Sequence, residues 1–342
     1  VKPIALLALA PLAGLPLLWA TRPAAAPTPA GPPRVCAGSH LDRPVRIPAS
    51  RFVMGSSRYY PEEGPPTETE VPAFDIDAHE VTNRQFATFV AATGYRTEAE
   101  KPGGGAFVFV PPKTAIDEPD PRRWWRFVPG ANWRHPEGPG SSIAGHEEEP
   151  VVAVTFVDAQ AYARWAGRAL PSEEQFEAAA RVGLTDPDAE PNPDQANTWQ
   201  GSFPNMNAKR DGYTGRAPAG CFKPNGAGAY DLIGNVWEWT ESWYLPGHAP
   251  FAVGDGSPGN PSFDPRQPEA KARVIKGGSY LCANNYCARY RPAARHAQEE
   301  TLAASHLGFR TVSRSAFDLA TDASGHARPA RSPSSRAQGP AL

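Results

Sequence analysis

Cysteine is scarce in this chain, with four residues in 342. That is too few to build a disulfide scaffold at this length, so each cysteine needs its own explanation. A dominant charge sign is also missing. The formal net charge is -2, which removes any electrostatic reason to expect a nucleic-acid partner. Long unbroken helical patterns are absent too. Forty prolines and 31 glycines interrupt the chain and point to a loop-rich fold. There is no internal repeat. What remains is globular composition, 40% hydrophobic and 20% charged, with enough residues for one large domain or two ordinary ones.

The N-terminal stretch "VKPIALLALAPLAGLPLLWATRPAAAP" places Lys2 before an apolar run of signal-peptide type. Ala24-Ala25-Ala26 supplies a cleavage-like site. Pro11 and Pro16 argue against a firm membrane-spanning helix, although the run nearly reaches spanning length. Export to the periplasm or beyond, or anchoring by this segment, is expected; a true start further along would leave the protein in the cytoplasm. Residues 1–40 then comprise a signal peptide or anchor and a proline-rich linker. The tail, residues 315–342, is polar, poor in large apolar side chains and expected to be disordered. Residues 41–314 form the folded unit.

Within that unit three helices carry end signals. In "EVTNRQFATFVAATG", Thr82 caps, Gln85 completes a capping box, Phe86, Phe89 and Val90 form the apolar stripe, and Gly94 ends the helix. In "VDAQAYARWAG", Asp158 is expected to cap, with Ala161, Tyr162 and Trp165 facing inward and Gly167 terminating. In "LPSEEQFEAAARVG", Ser172 caps with Gln175 three residues later, and Gly183 closes. "AFVFV" and "PVVAVTF" suit strands. Between Asp186 and Pro268 periodicity is weak and turn residues abound, so something besides a packed sheet is expected to order the backbone.

Bound calcium is one candidate, because it takes six to eight oxygen ligands, often from irregular loops. "YDLIGNVWEWT" offers Asp231 and Glu238, with carbonyls at Gly234 and Val236. "NTWQGSFPNMNAKRDGY" offers Asn197 and Asp211, with carbonyls at Thr198 and Tyr213. Neither has EF-hand spacing, and residues of these types more often serve as caps and turns. Cys282 and Cys287 lie five apart in "GGSYLCANNYCARYR". A bridge, a two-coordinate clip for a soft metal, and a nucleophile with its resolving partner all fit that spacing. Thiolates select copper(I), zinc or iron–sulfur clusters. Zinc would want four ligands, and no second Cys/His cluster is present, so copper(I) is the best-fitting metal.

"GGSYLCANNYCARYRPAAR", followed by "SHLGFRTV" and preceded by "GNVWEWT", resembles the signature of formylglycine-generating enzymes of bacterial aerobic type. These are the sulfatase-modifying oxidases. Similarity extends over roughly residues 45–313, through "EVTNRQFATFVAATGYRTEAEK", "GANWRHPEGPGS", "HEEEPVVAVTFVDAQAYARWAGRALPSEEQFE" and "NTWQGSFP". The "GNVWEWT" and "GGS…LGFR" elements mark a whole superfamily. The cysteine pair is the specific part.

The resemblance implies an α+β, loop-rich formylglycine-generating fold, distantly like C-type lectins and low in regular secondary structure. It implies that Cys282 and Cys287 bind copper(I), with Cys287 the deeper member. Ser279 and Trp237 would shape an oxygen pocket, and Tyr286 would stand in its wall between the cysteines. One calcium site would use Asn197, Thr198, Asp211 and Tyr213. A second would use Asp231, Gly234, Val236 and Glu238, with Asp231 replacing the usual asparagine. The implied partner is an unfolded sulfatase polypeptide carrying C-x-P-x-R, whose cysteine is oxidised with O2 and a thiol reductant by a monomeric enzyme.

Departures are visible. Ala163, Ala180, Pro292 and Thr311 stand where vertebrate members carry structural disulfides, and His306 replaces a frequent asparagine near the peptide. Cys36 and Cys221 match no family role; Cys221 reads as a small buried residue and Cys36 as part of the linker. A sulfoxide synthase of the same superfamily would need HxxxHxE, which the chain lacks. A non-catalytic lectin-like binding module would have no use for the paired cysteines.

Overall fold

The computed structural model describes residue 36 and residues 42–116, 120–189, 195–248 and 261–313. The N-terminal apolar segment, the Pro27–Pro33 linker and the tail from residue 315 lie outside them.

Helix α1, Asn83–Thr93, starts at a Thr82/Gln85 capping box and ends at Gly94 in the left-handed region. The sequence signals for it hold in full. Helix α2, Phe156–Trp165, begins earlier than expected. Thr155 is its cap, and Asp158, the third residue of the helix, closes the box by accepting from the Thr155 amide and hydroxyl. A threonine hidden in an apolar run took the role assigned to the aspartate, since both residue types can cap. Trp165 also departs from expectation: it is 42% exposed, although its ring still rests against Phe89. Helix α3, Glu173–Arg181, has the Ser172/Gln175 box as expected.

The strands are short. Val45–Ile47 (β1), Phe74–Ile76 (β4), Arg168–Ala169 (β7) and Val312–Ser313 (β12) form one sheet, in the order β1-β4-β12-β7. It brings the two ends of the domain together. A second sheet takes Trp237–Trp243 (β8), Ala272–Lys276 (β9), His296–Glu299 (β10) and Leu307–Gly308 (β11), in the order β10-β9-β8-β11. Only β11 runs parallel to its neighbour β8. Two hairpins complete the set: Ser50–Met54 (β2) with Thr67–Val71 (β3), and Gly105–Phe109 (β5) with Trp125–Pro129 (β6).

"PVVAVTF" is not a strand of either sheet. Val151 donates to Val81 O and Ala153 to Ala304 O, and Ala153 sits at φ 57°. The run is apolar because it threads the core with Val151 and Val154 fully covered. Apolarity alone could not separate that path from a strand.

Buried ion pairs supplement the sparse secondary structure. Arg310 grips Glu238 with two contacts of 2.7 Å. Arg291 reaches Glu63 at 2.6 and 2.9 Å, Arg295 reaches Glu173 at 2.7 and 2.8 Å, and Lys276 meets Glu177 at 3.0 Å. Such pairs add little net stability over apolar packing, but breaking one is costly because it strands a buried charge. They therefore pin the loops they connect.

Cys36 and Cys221 require a correction. They form a disulfide spanning 185 residues, seated on Tyr213 and Phe222. No local pattern around either cysteine signals it, because the partners lie far apart and only the fold brings them together.

Candidate active site

After β9 the chain reaches Gly277 and Gly278, at φ 92° and 76°. A Cβ on Gly278 would lie 2.5 Å from Arg289 O, so only glycine lets the loop fold back on itself. Cys282 N then donates to Ser279 O at 2.8 Å, and Cys287 N to Ala283 O at 2.8 Å. The Cys282 carbonyl accepts from Trp199 N at 3.0 Å, which anchors the loop to the irregular middle of the chain. These turns place the two sulfurs 3.1 Å apart.

Both cysteines are free thiols, so the loop does not hold a structural bridge. Their depths are the reverse of expectation. Cys282 is the deeper residue, 1% exposed, while Cys287 is partly exposed. The first cysteine follows the glycine turn straight into the core cluster, and the second rises on the return.

The environment makes the pair unequal. The hydrogen bond shared with Cys282 holds the Cys287 thiol down to about 7, with Arg289 adding to the effect against the opposing push of burial. Burial pushes Cys282 well upward, and the shared hydrogen bond acts the same way. At neutral pH Cys287 is therefore the readier thiolate.

Both sulfurs face a cavity of about 480 Å³. Ser279, Trp237 and Tyr286, all expected at the site, line it. Ser279 N lies 3.4 Å from the Cys282 sulfur. The Tyr286 ring stacks on Phe203 at 4.4 Å and stands edge-on to Trp124 at 5.5 Å. Residues that sequence reasoning did not assign complete the wall: Phe107 and Trp125 from the β5–β6 hairpin, His296 and Gln298 from β10, and Arg289. His296 and Gln298 share one face of β10 by strand alternation, a signal present but too short to read. Burial lowers His296 to about 4 and His306 to about 3, so both are neutral at pH 7. His306 packs on Trp125 at 4.6 Å.

The two oxygen-rich loops touch each other. Asn235 N donates to Asn197 O at 2.8 Å, and a Cβ on Gly234 would lie 2.4 Å from that oxygen. In the first loop Asn197 donates to Gly215 O and to Asn235 Oδ1, and Thr198 is buried. Asp211 accepts from Tyr213 N at 3.0 Å and from Gln200 at 2.6 Å.

In the second loop Arg310 takes both oxygens of Glu238. Asp231 accepts from Gly220 N through Oδ2, but its Oδ1 is buried without a partner, as is Glu80 Oε2. Burial pushes the carboxyls of Glu80, Asp231 and Glu238 upward. Three carboxyl groups around one guanidinium, with two orphaned oxygens, suit a hard cation. Among the described residues no three Cys, His, Asp or Glu side chains converge as a metal cluster. A cation here would therefore draw mainly on carbonyls such as those of Gly234 and Val236. The first loop shows no such orphaned atom. Glu80 carries no local signal for this role, because it sits in the cap region of α1, 155 residues from Asn235, which donates to it.

A loop-rich α+β frame that carries two close, unequal thiols on the floor of an aromatic pocket defines a cysteine-centred enzyme. The family description "Sulfatase-modifying factor enzyme 1-like domain" matches residues 32–315. The chain is 45% identical over 288 residues to the formylglycine-generating enzyme of Mycobacterium tuberculosis, covering 78% of this chain and 96% of that one. It is 47% identical over 293 residues to the formylglycine-generating enzyme of Thermomonospora curvata, covering 78% and 91%. Among solved structures, PvdO from Pseudomonas aeruginosa shares the fold, with TM-score 0.54 and 23% identity over 79% of this chain and 93% of that one. The chain belongs to the formylglycine-generating, sulfatase-modifying factor family.

Proposed function

We propose that the protein converts the cysteine of a C-x-P-x-R segment in an unfolded sulfatase polypeptide to Cα-formylglycine, using O2 and a thiol reductant. The observation that carries this reading is the pair of reduced sulfurs, 3.1 Å apart, at the floor of a cavity large enough for a side chain. The overall change balances when a substrate thiol, a dioxygen and a pair of reductant thiols give an aldehyde, hydrogen sulfide, water and the reductant's disulfide. Two hydrogens leave the substrate cysteine, and hydrolysis of the resulting thioaldehyde releases the sulfide.

Cys282 and Cys287 suit a soft monovalent metal as donors, and copper(I) bound there would supply electron transfer to dioxygen. The protein's own contributions follow from the pocket. Trp237, Tyr286 and Phe203 line it with aromatic surface that excludes water. Ser279 orders the turn through its carbonyl, which accepts from Cys282 N, and its hydroxyl, which accepts from Leu281 N. Immobilising the reacting cysteine removes an entropic part of the barrier.

Calcium in the second loop, and by the family pattern in the first, would hold the two loops together. A monomeric, exported enzyme is consistent with the reading, and the Cys36–Cys221 disulfide supports an oxidising compartment. The test is capture of the product aldehyde. A C-x-P-x-R peptide incubated with protein, copper, O2 and thiol should react with a hydrazide probe, and the serine peptide should not. No capture from the cysteine peptide would reject the reading.

A further inference from the structure

Arg289 is the only Asp, Glu, Lys or Arg side chain among the described residues that line the cysteine cavity. It is held from behind by a distant part of the chain. Its guanidinium stacks 3.8 Å over the Tyr60 ring and pairs with Glu62, neither of which lines the cavity. The Tyr60 hydroxyl accepts from Ala288 N at 3.1 Å, and next door Arg291 stacks on Tyr59 and grips Glu63. Residues 59–63 thus zip against residues 288–291 and fix the guanidinium in the wall. Its Nε–H is buried without a protein partner in hydrogen-bonding geometry, and the Cys287 sulfur, which the guanidinium helps to hold as thiolate, is the anionic group beside it. An unsatisfied buried donor on a fixed cation calls for an acceptor, and an anionic one above all.

We infer that Arg289 is a positioning residue that draws the substrate's cysteine into the cavity as its thiolate and orients that sulfur beside Cys287. This rests on the reading of the site as one that acts on a peptidyl cysteine. The other wall groups do not compete for the role. His296 and His306 are neutral at pH 7, and Glu62, paired with Arg289, does not line the cavity. The remaining lining side chains are aromatic, aliphatic, amide, hydroxyl or thiol.

The experiment compares alkylation of Cys287 by iodoacetate, an anion, and by iodoacetamide, its neutral counterpart, in the reduced full chain. Site occupancy is read by peptide mass spectrometry. The ratio of the two rates reports local potential and is insensitive to thiolate fraction, which divides out. In the native protein the ratio should exceed that of the same cysteine in urea-unfolded chain by about five-fold. Arg289→Gln should remove that excess, and Arg289→Lys should retain at least half of it. The Michaelis constant for the C-x-P-x-R peptide should rise about ten-fold in the glutamine variant, with kcat changing less.

A native ratio equal to the unfolded one would overturn the assignment without any variant being needed. So would a lysine variant that falls as far as the glutamine variant, since that would mark a packing role. An unchanged Michaelis constant in Arg289→Gln would equally refute the capture of substrate. A wild-type protein that shows the expected ratio yet makes no aldehyde would instead sink the reading of the site and leave the electropositive wall standing.

Discussion

The thiol of Cys287 is held down to about 7 beside a partner pushed upward by burial, and this gives the pair a division of labour. Alkylation of Cys287 should follow its thiolate. The charged form dominates above pH 7 and is lost as pH falls, so the rate at pH 6 should be about ten-fold below that at pH 8. Stopped-time alkylation at a series of pH values would check this, and a midpoint near 9 would mean that the shared hydrogen bond and Arg289 do not act as described. Cys282→Ser and Cys287→Ser should each abolish aldehyde formation and weaken copper(I) binding greatly, with circular dichroism unchanged. A competition titration against a copper(I) chelator reads the second effect. Cysteine spacing alone could not show which sulfur lies deeper. That depends on the glycine turn at Gly277 and Gly278 and on the core that the loop enters.

At the scale of elements, caps and loops carry different kinds of information. Thr82 and Ser172 were readable because a capping box is local, with both partners three residues apart. Thr155 is masked in the sequence by an equally good capping residue, Asp158, three positions on. Trp125, Gln298 and Glu80 were out of reach, since their site contacts come from other elements. The Cys36–Cys221 bridge is the extreme case.

Breaking that bridge with Cys36→Ser should lower stability by about 5 kcal/mol, because it releases a long loop in the unfolded chain. Turnover should stay within a few-fold; urea unfolding and the aldehyde assay together measure both. Excess chelator should lower the melting temperature if a cation completes the loop of Asp231 and Glu80, and elemental analysis should find calcium. Glu238→Ala is the wrong probe for that question. It would remove the bidentate partner of the buried Arg310, which costs about 3–5 kcal/mol with or without a cation.

At the scale of the molecule, sheets of two- to seven-residue strands cannot by themselves hold a cavity in shape. Buried pairs from distant segments do so. Arg291 with Glu63 and Arg295 with Glu173 join the last third of the chain to its first and middle thirds, and Arg310 with Glu238 ties the last third together. The cysteine loop lies between these anchors, so its two sulfurs are presented by the whole fold. The central claim is that this arrangement oxidises a peptidyl cysteine. The most direct measurement is the mass of a C-x-P-x-R peptide after incubation with the protein, copper, O2 and a thiol reductant. A product lighter by about 18 mass units, the exchange of a thiomethyl side chain for an aldehyde, is predicted for wild type and not for Cys287→Ser. An unchanged peptide mass with folded, copper-loaded wild-type protein would contradict it.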